Sequence, residues 1–169
     1  MRTDLVAKWY HASALVTFFT DFDTWAASTH APRAALRQEY EDLLMGTNAN
    51  IHVPLWASVC INENGTLMDE TTLELIQTYH RCGYSPVAMD HNPPDYIGQQ
   101  LRFAAYLFAC ALHAENAGHN PLPFEKEFYR LLSDFIIPTV SAISIAIKEY
   151  NFTVVEHKQL KEWHCITVK

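Results

Sequence analysis

Residues able to bind metal or do catalysis are plentiful in this sequence, but their spacing is poor for either. Nine histidines are scattered singly, at His11, His30, His52, His80, His91, His113, His119, His157 and His164. H-E-x-x-H is absent, and no glutamate has a histidine three residues on, the pair that a di-metal site in a helical bundle requires. The cysteines Cys60, Cys82, Cys110 and Cys165 contain no C-x-x-C pair, which argues against a zinc ribbon or a disulfide framework. No neighbouring base or cation is implied that would activate any of them as a nucleophile. They read as buried thiols in a reducing compartment. The phosphate loop G-x-x-x-x-G-K-S/T, the dinucleotide fingerprint G-x-G-x-x-G and the nucleophile elbow G-x-S-x-G are all missing. The expectation is a protein that is not an enzyme, with no metal and no resident cofactor.

Proline and glycine punctuate the elements that would position any site. A first helix is expected over about Asp4 to Phe22. A second runs from Pro32 to Gly46, with Leu36, Tyr40, Leu43 and Leu44 on one face. An irregular stretch follows, with a turn at Asn64-Gly65. Asp69 caps a helix that Gly83 stops after Cys82, its inward face formed by Leu73, Ile76 and Tyr79. The longest helix is expected from Asn92 to Ala117, ended by Gly118. Asn92 would be its N-cap, Pro93 its first residue and Asp95 a favourable first-turn charge. Its stripe of Ile97, Leu101, Ala104, Ala105, Phe108, Ala111 and Leu112, with Phe103, Tyr106, Leu107 and Cys110 on other faces, places it at the centre of a bundle. Two helices, about 123–137 and 138–150, are expected on either side of a break or kink at Pro138, then a short amphipathic piece over 156–165. No segment reads as a strand. The fold class is therefore all-α, a single-domain helical bundle spanning residues 1–169.

Composition narrows the function classes. A formal charge of −7 disfavours nucleic acid and favours a basic partner. The apolar stretch from Phe135 to Ile147, interrupted by Pro138, is read as too short for membrane insertion. The N-terminus lacks a signal-peptide layout, and no two arginines are adjacent. The expected location is the cytoplasm.

Two segments carry a family pattern. Pro54-Leu55-Trp56-Ala57-Ser58-Val59, with Asn64-Gly65-Thr66-Leu67-Met68 and Thr72-Leu73-Glu74 after it, resembles one signature region of the TorD/DmsD/NarJ-type redox-enzyme maturation chaperones. Asn92-Pro93-Pro94-Asp95-Tyr96-Ile97-Gly98, running on into Leu101 and Phe103, is similar to their second motif at the start of a core helix. Glu39-Tyr40, Leu43-Leu44 and Gly46 resemble a segment that precedes both. Order and spacing agree over roughly residues 36–112. There are departures: Asn92 stands where the motif has Glu, Tyr96 where it has His, and Phe135 and Thr139 flank Pro138 in place of a His and a Trp.

The resemblance implies the TorD-like fold. It also implies a chaperone that binds the twin-arginine signal peptide, or the apo form, of a molybdoenzyme catalytic subunit precursor of the DMSO reductase family. Binding would delay export until the cofactor is inserted. Such a peptide offers two arginines and then an apolar run, so its receptor needs an apolar groove with a carboxylate at one end. The candidate peptide-binding residues are His52, Leu55, Trp56, Ser58, Asn92, Pro93, Pro94, Asp95 and Tyr96. Trp56 and Leu55 would line the groove, Asp95 would pair an arginine, and Tyr96 would offer a hydroxyl in place of an imidazole. The plainer reading is that Asn92 to Asp95 only start a helix and that Trp56 is core. The alternative function is an accessory protein that binds guanine nucleotide weakly, or molybdopterin, through the helix N-terminus near Asn92. The family also implies a monomer or a helix-swapped dimer, with hinges near Pro138 or before Asn92.

Overall fold

A computed structural model describes residues 32–45, 53–62, 65–86 and 93–149, together with 7, 8, 11, 12, 14, 26 and 27. The expected first helix, the piece at 156–165, Gly46, His52 and Asn92 lie outside this set or are only touched by it. Among the described residues the protein is a bundle of helices with no strand, as its periodicity requires. Helix α1 spans Arg33–Tyr40 and widens into a π turn over Glu41–Met45. Leu36 is buried, while Tyr40, Leu43 and Leu44 of the same face are half-buried.

A short helix, α2 (Ala57–Ile61), interrupts the stretch that reads as irregular in sequence. Five residues are too few for helical periodicity to show. Helix α3 (Glu70–Arg81) is capped as expected: the Asp69 side chain accepts from the Thr71 amide at 2.9 Å. Asn62 donates to both Asp69 and Thr71, which fixes the approach to the cap. The helix ends where the glycine stop is expected. Gly83 has φ +70°, its amide donates to His80 O at 3.0 Å, and the Tyr84 amide donates to Tyr79 O at 2.8 Å. That pair of bonds satisfies two carbonyls at the helix end, and the left-handed residue between them costs glycine little.

The inward face of α3 holds Tyr79 as expected and half-buries Ile76, but Leu73 does not belong to it. Leu73 is 57% exposed, whereas Leu75 and Tyr79 are fully buried, with Thr72 and Thr78 beside them. Leu73 falls in the first turn, where Thr71 and Thr72 take the inward positions.

Helix α4 (Ile97–Asn116) begins later than expected, because Pro93 and Pro94 lie in the turn before it. It occupies the centre of the bundle. Ile97, Leu101, Phe103, Ala104, Ala105, Leu107 and Ala111 are all buried. An aromatic group gathers on it, with Tyr79 and Phe103 centroids 4.7 Å apart and Tyr84 and Tyr106 at 5.2 Å.

Helices α5 (Leu122–Leu131) and α6 (Ile137–Glu149) are joined without a break through a π turn at Leu132–Ile136. Of the break or kink expected at Pro138, the break does not occur. A proline ring crowds the carbonyl four residues back and lacks the N–H that would bond it. The wide π turn immediately before Pro138 takes up that mismatch, so the helix continues. The run Leu122–Lys148 is consequently long and apolar enough, by length and composition, to cross a membrane, with a hydropathy of 1.6. This corrects the expectation of a stretch too short to span. The core helix of a bundle meets the same measure, and this one turns Leu131, Phe135, Ile136, Thr139, Ile143 and Ala146 into the interior.

Helix α2 packs on α3 and α6, and α4 on α5 and the π turn after it. Arg81 pairs with Glu127 at 2.9 Å and Arg130 pairs with Glu74, which ties α3 to α5 at the surface.

Candidate functional site

The two motif segments meet in space. Trp56 and Tyr96 form an isolated antiparallel bridge. The Ile97 amide donates to Leu55 O at 2.9 Å and the Ala57 amide to Asp95 O at 3.1 Å. This brings Leu55, Trp56 and Ser58 against Pro93, Pro94, Asp95 and Tyr96, a grouping that spacing along the chain alone does not dictate.

The local reason lies in the cap of α2. Its N-cap residue is Trp56, extended at φ −119° and ψ 135°, which has no side-chain acceptor to offer the first turn. Asp95 supplies one from the other segment. Its Oδ2 accepts from the Ser58 amide at 2.8 Å. The expected role of Asp95 as a first-turn charge on its own helix is thereby corrected: α4 has no acidic residue in its first turn, and Asp95 serves a different helix. Two further bonds hold the turn. Gln100 Nε2 donates to Asp95 O at 2.7 Å, and the Tyr79 hydroxyl donates to Pro94 O at 2.9 Å. Burial pushes the Tyr79 phenol well above its usual range, with Tyr84 and Asp95 adding to it, so the hydroxyl remains a donor.

Four of the seven described candidate residues are interior rather than lining an open groove. Asp95 is 0% exposed, and Leu55, Ser58 and Tyr96 are buried with it. Trp56, Pro93 and Pro94 are half-buried. The reading of Asn92–Asp95 as a plain helix start does not account for Asp95, which caps α2, and Trp56 is half-buried rather than core; His52 and Asn92 lie outside the described residues.

The cluster is under-bonded. Asp95 Oδ1, Ser58 Oγ, Gln100 Oε1 and Trp56 Nε1 are buried and make no hydrogen bond among the described residues. A buried carboxylate oxygen without a donor is costly, so this locus is an acceptor looking for a cation or a donor. Gln100 is a member that sequence reasoning missed, as are Tyr79 and Gly98. The signal for Gln100 was a polar side chain inside an apolar helix stripe. The signal for Gly98 was its place just after Tyr96: a Cβ there would meet Tyr96 Cε1 at 2.5 Å. Only glycine lets the ring lie flat over the start of α4.

Other chemistry is weak here. Cys60 sits beside the cluster, and its thiol is pushed up to about 12 by burial and, secondarily, by the Asp95 charge. A thiol held protonated in this way is no nucleophile. Among the described residues no three His, Cys, Asp or Glu gather into a metal site. The N-terminus of α4 is a poor phosphate site, since the amides of Ile97, Gln99 and Gln100 are already bonded to Leu55 O and Tyr96 O.

The family model described as Nitrate reductase delta subunit matches residues 9–138, most of the chain. No curated protein and no solved structure matches it. The matched range contains both motif segments and the whole of the Asp95 cluster.

Proposed function

The chain belongs to the nitrate reductase delta subunit family, the NarJ/TorD-type chaperones of molybdoenzyme assembly, and from that premise we propose that it is a cytoplasmic peptide-binding chaperone. Its ligand would be the twin-arginine signal peptide, or the apo form, of a DMSO reductase-type catalytic subunit, retained until the molybdopterin cofactor is in place. The observation that carries this reading is Asp95. It is a buried carboxylate with one oxygen unpartnered, in the turn that carries Pro93 and Pro94 and pairs with the Trp56 segment, in a chain of net charge −7. A carboxylate is the natural partner of an arginine, and the half-buried Trp56, Pro93 and Pro94 offer an apolar surface to the run that follows. Asn92 in place of a glutamate removes one charge from the site, so the expected affinity is below that of a relative with both acids.

Calorimetric titration with a twin-arginine signal peptide at low salt tests the reading. Saturable binding that is lost when both arginines become glutamine supports it. Absent binding, or binding indifferent to that change, refutes it.

A further inference from the structure

The outer face of the joined helices α5 and α6 carries apolar groups that the bundle does not cover. Four of the seven large apolar side chains exposed among the described residues lie on it: Leu122, Tyr129, Ile137 and Ile145, each more than half exposed. Of the most apolar stretch of this helix only 28% is buried. The π turn at Leu132–Ile136 brings the groups into line. Residues eight apart lie about 80° apart round a regular helix, and a π turn takes up one residue more than an α turn. Tyr129 and Ile137 therefore share a side, as residues seven apart do elsewhere. Leu122, seven before Tyr129, shares it too. Exposed Lys126, Ser133 and Ser141 lie between them.

The spacing is self-complementary about Ser133. Tyr129 stands four residues before it and Ile137 four after. Leu122 stands eleven before and Ile145 twelve after, one of the twelve being the extra residue of the π turn. A second copy laid antiparallel, Ser133 against Ser133, sets each Tyr129 on the partner's Ile137 and each Leu122 on the partner's Ile145. This is the two-fold arrangement in which one patch pairs with itself. The small serine at the crossing lets the helices approach. Charge agrees with the register. Arg130 and Asp134, 41% and 51% exposed, border the line on one side. In antiparallel order Arg130 of each copy comes beside the partner's Asp134, and flanking charges of this kind fix partner and orientation. Other occupants fit less well. A cationic peptide would meet Lys126, Arg130 and Lys148, with Asp134 the one exposed acid described on this helix. A lipid surface would have to take in Ser133 and the Arg130–Asp134 pair at the middle of the line.

We propose that the outer face of α5 and α6 pairs two copies of this chain in an antiparallel two-fold dimer centred on Ser133, with Tyr129 on Ile137 at its core and Arg130 beside Asp134 at its border. From Leu122 to Ile145 the strip is about 35 Å long and about 10 Å wide. Its area is about half of the roughly 800 Å² that each partner gives to a standard interface, so the dimer forms reversibly. It exchanges no helix, unlike the swapped dimer that the family resemblance implies. No residue of the Asp95 cluster takes part, so the proposal stands independently of the peptide-binding reading.

Sedimentation equilibrium of the full chain, from about 5 to about 500 µM, tests the pairing. The apparent mass is expected to climb from 19.3 kDa toward twice that value across the range. Ile137→Asp, at an exposed position, is expected to weaken association at least about tenfold. Arg130→Asp and Asp134→Arg are each expected to weaken it about tenfold, and an equimolar mixture of the two variants to recover it. Only mixed pairs then bring opposite charges together at both borders. Ile145→Asp lies away from the ion pairs with α3 and gives the same readout should a change at Arg130 cost folding. A parent that stays at 19.3 kDa throughout overturns the proposal. So does a dimer indifferent to Ile137→Asp and Ile145→Asp, as a helix-swapped one would be. Two weakened charge variants that fail to recover on mixing overturn it as well.

Discussion

Asp95 accepts the backbone amide of Ser58 at 2.8 Å from 37 positions further along the chain. The bond makes one carboxylate both the cap of a short helix and the charged atom pair of the candidate site. Its structural share is measurable without any ligand. Asp95→Ala is expected to lower stability by about 1–3 kcal/mol, the range for losing a cap together with its buried partner. Asp95→Asn keeps an acceptor for Ser58 and is expected to lose less. Urea denaturation of both variants checks the order. Equal stability of all three proteins would remove the cap from the account.

Gly98 and Tyr96 form a second pair. Gly98→Ala places a methyl group 2.5 Å from the Tyr96 ring. The expected cost is about 1–3 kcal/mol, the range for overpacking a filled interior. The cost is expected to shrink when Tyr96 is first changed to Ala, because the clash partner is gone. A double-mutant cycle by thermal or urea unfolding reads the coupling directly, and additive costs would show that the ring is not what demands a glycine.

Leu73 and Leu75 lie two positions apart and face opposite environments. Leu73→Glu is expected to change stability by no more than about 0.5 kcal/mol, while Leu75→Ala costs about 2–5 kcal/mol. Unfolding midpoints of the two variants decide the orientation of α3. A large loss from Leu73→Glu would restore the inward leucine that the sequence suggests.

Cys60 gives a pH signature. Its thiol is pushed up to about 12 in the folded protein, from an ordinary value of 9.0, by burial first and by Asp95 second. Between those values the unfolded chain gives up the thiol proton and the folded chain keeps it. The unfolded state then binds fewer protons, so stability falls as pH rises across that window and is whole below it. The Tyr106 phenol, raised from 10.0 to about 12 chiefly by its hydrogen bond with Cys110, contributes with the same sign. Cys60→Ala is expected to flatten the decline of stability with pH, whatever it costs at neutral pH. An unaltered slope between pH 9 and pH 12 would show that the thiol is not held protonated.

Much of this was legible in the residues. Gly83 and Gly118 stop their helices because only a residue at ease with φ near +70° closes both terminal bonds. Asp69 caps α3 through an acceptor two residues from its donor, a local bond that local sequence announces. The wide apolar stripe of α4 put that helix at the centre. The short α2, the Leu73 orientation and the continuity through Pro138 were not legible. Each depends on what packs alongside: five residues carry no period, buried threonines take the inward place of a leucine, and a π turn absorbs a proline.

The candidate site divides along the same line. The sequence by itself determined the helical class, the glycine stops of α3 and α4, the missing catalytic motifs and the two motif segments that carry the candidate residues. These follow from propensity, capping and motif order, all of which act over a few residues. Only the tertiary structure decided that the two segments touch, that Asp95 caps the helix of the other segment, that Gln100 joins it, and that Asp95, Ser58 and Gln100 are buried. Those facts rest on one antiparallel bridge and one carboxylate–amide bond between residues far apart in the chain. Closing such a loop is governed by the packing of the entire bundle, which no local pattern records.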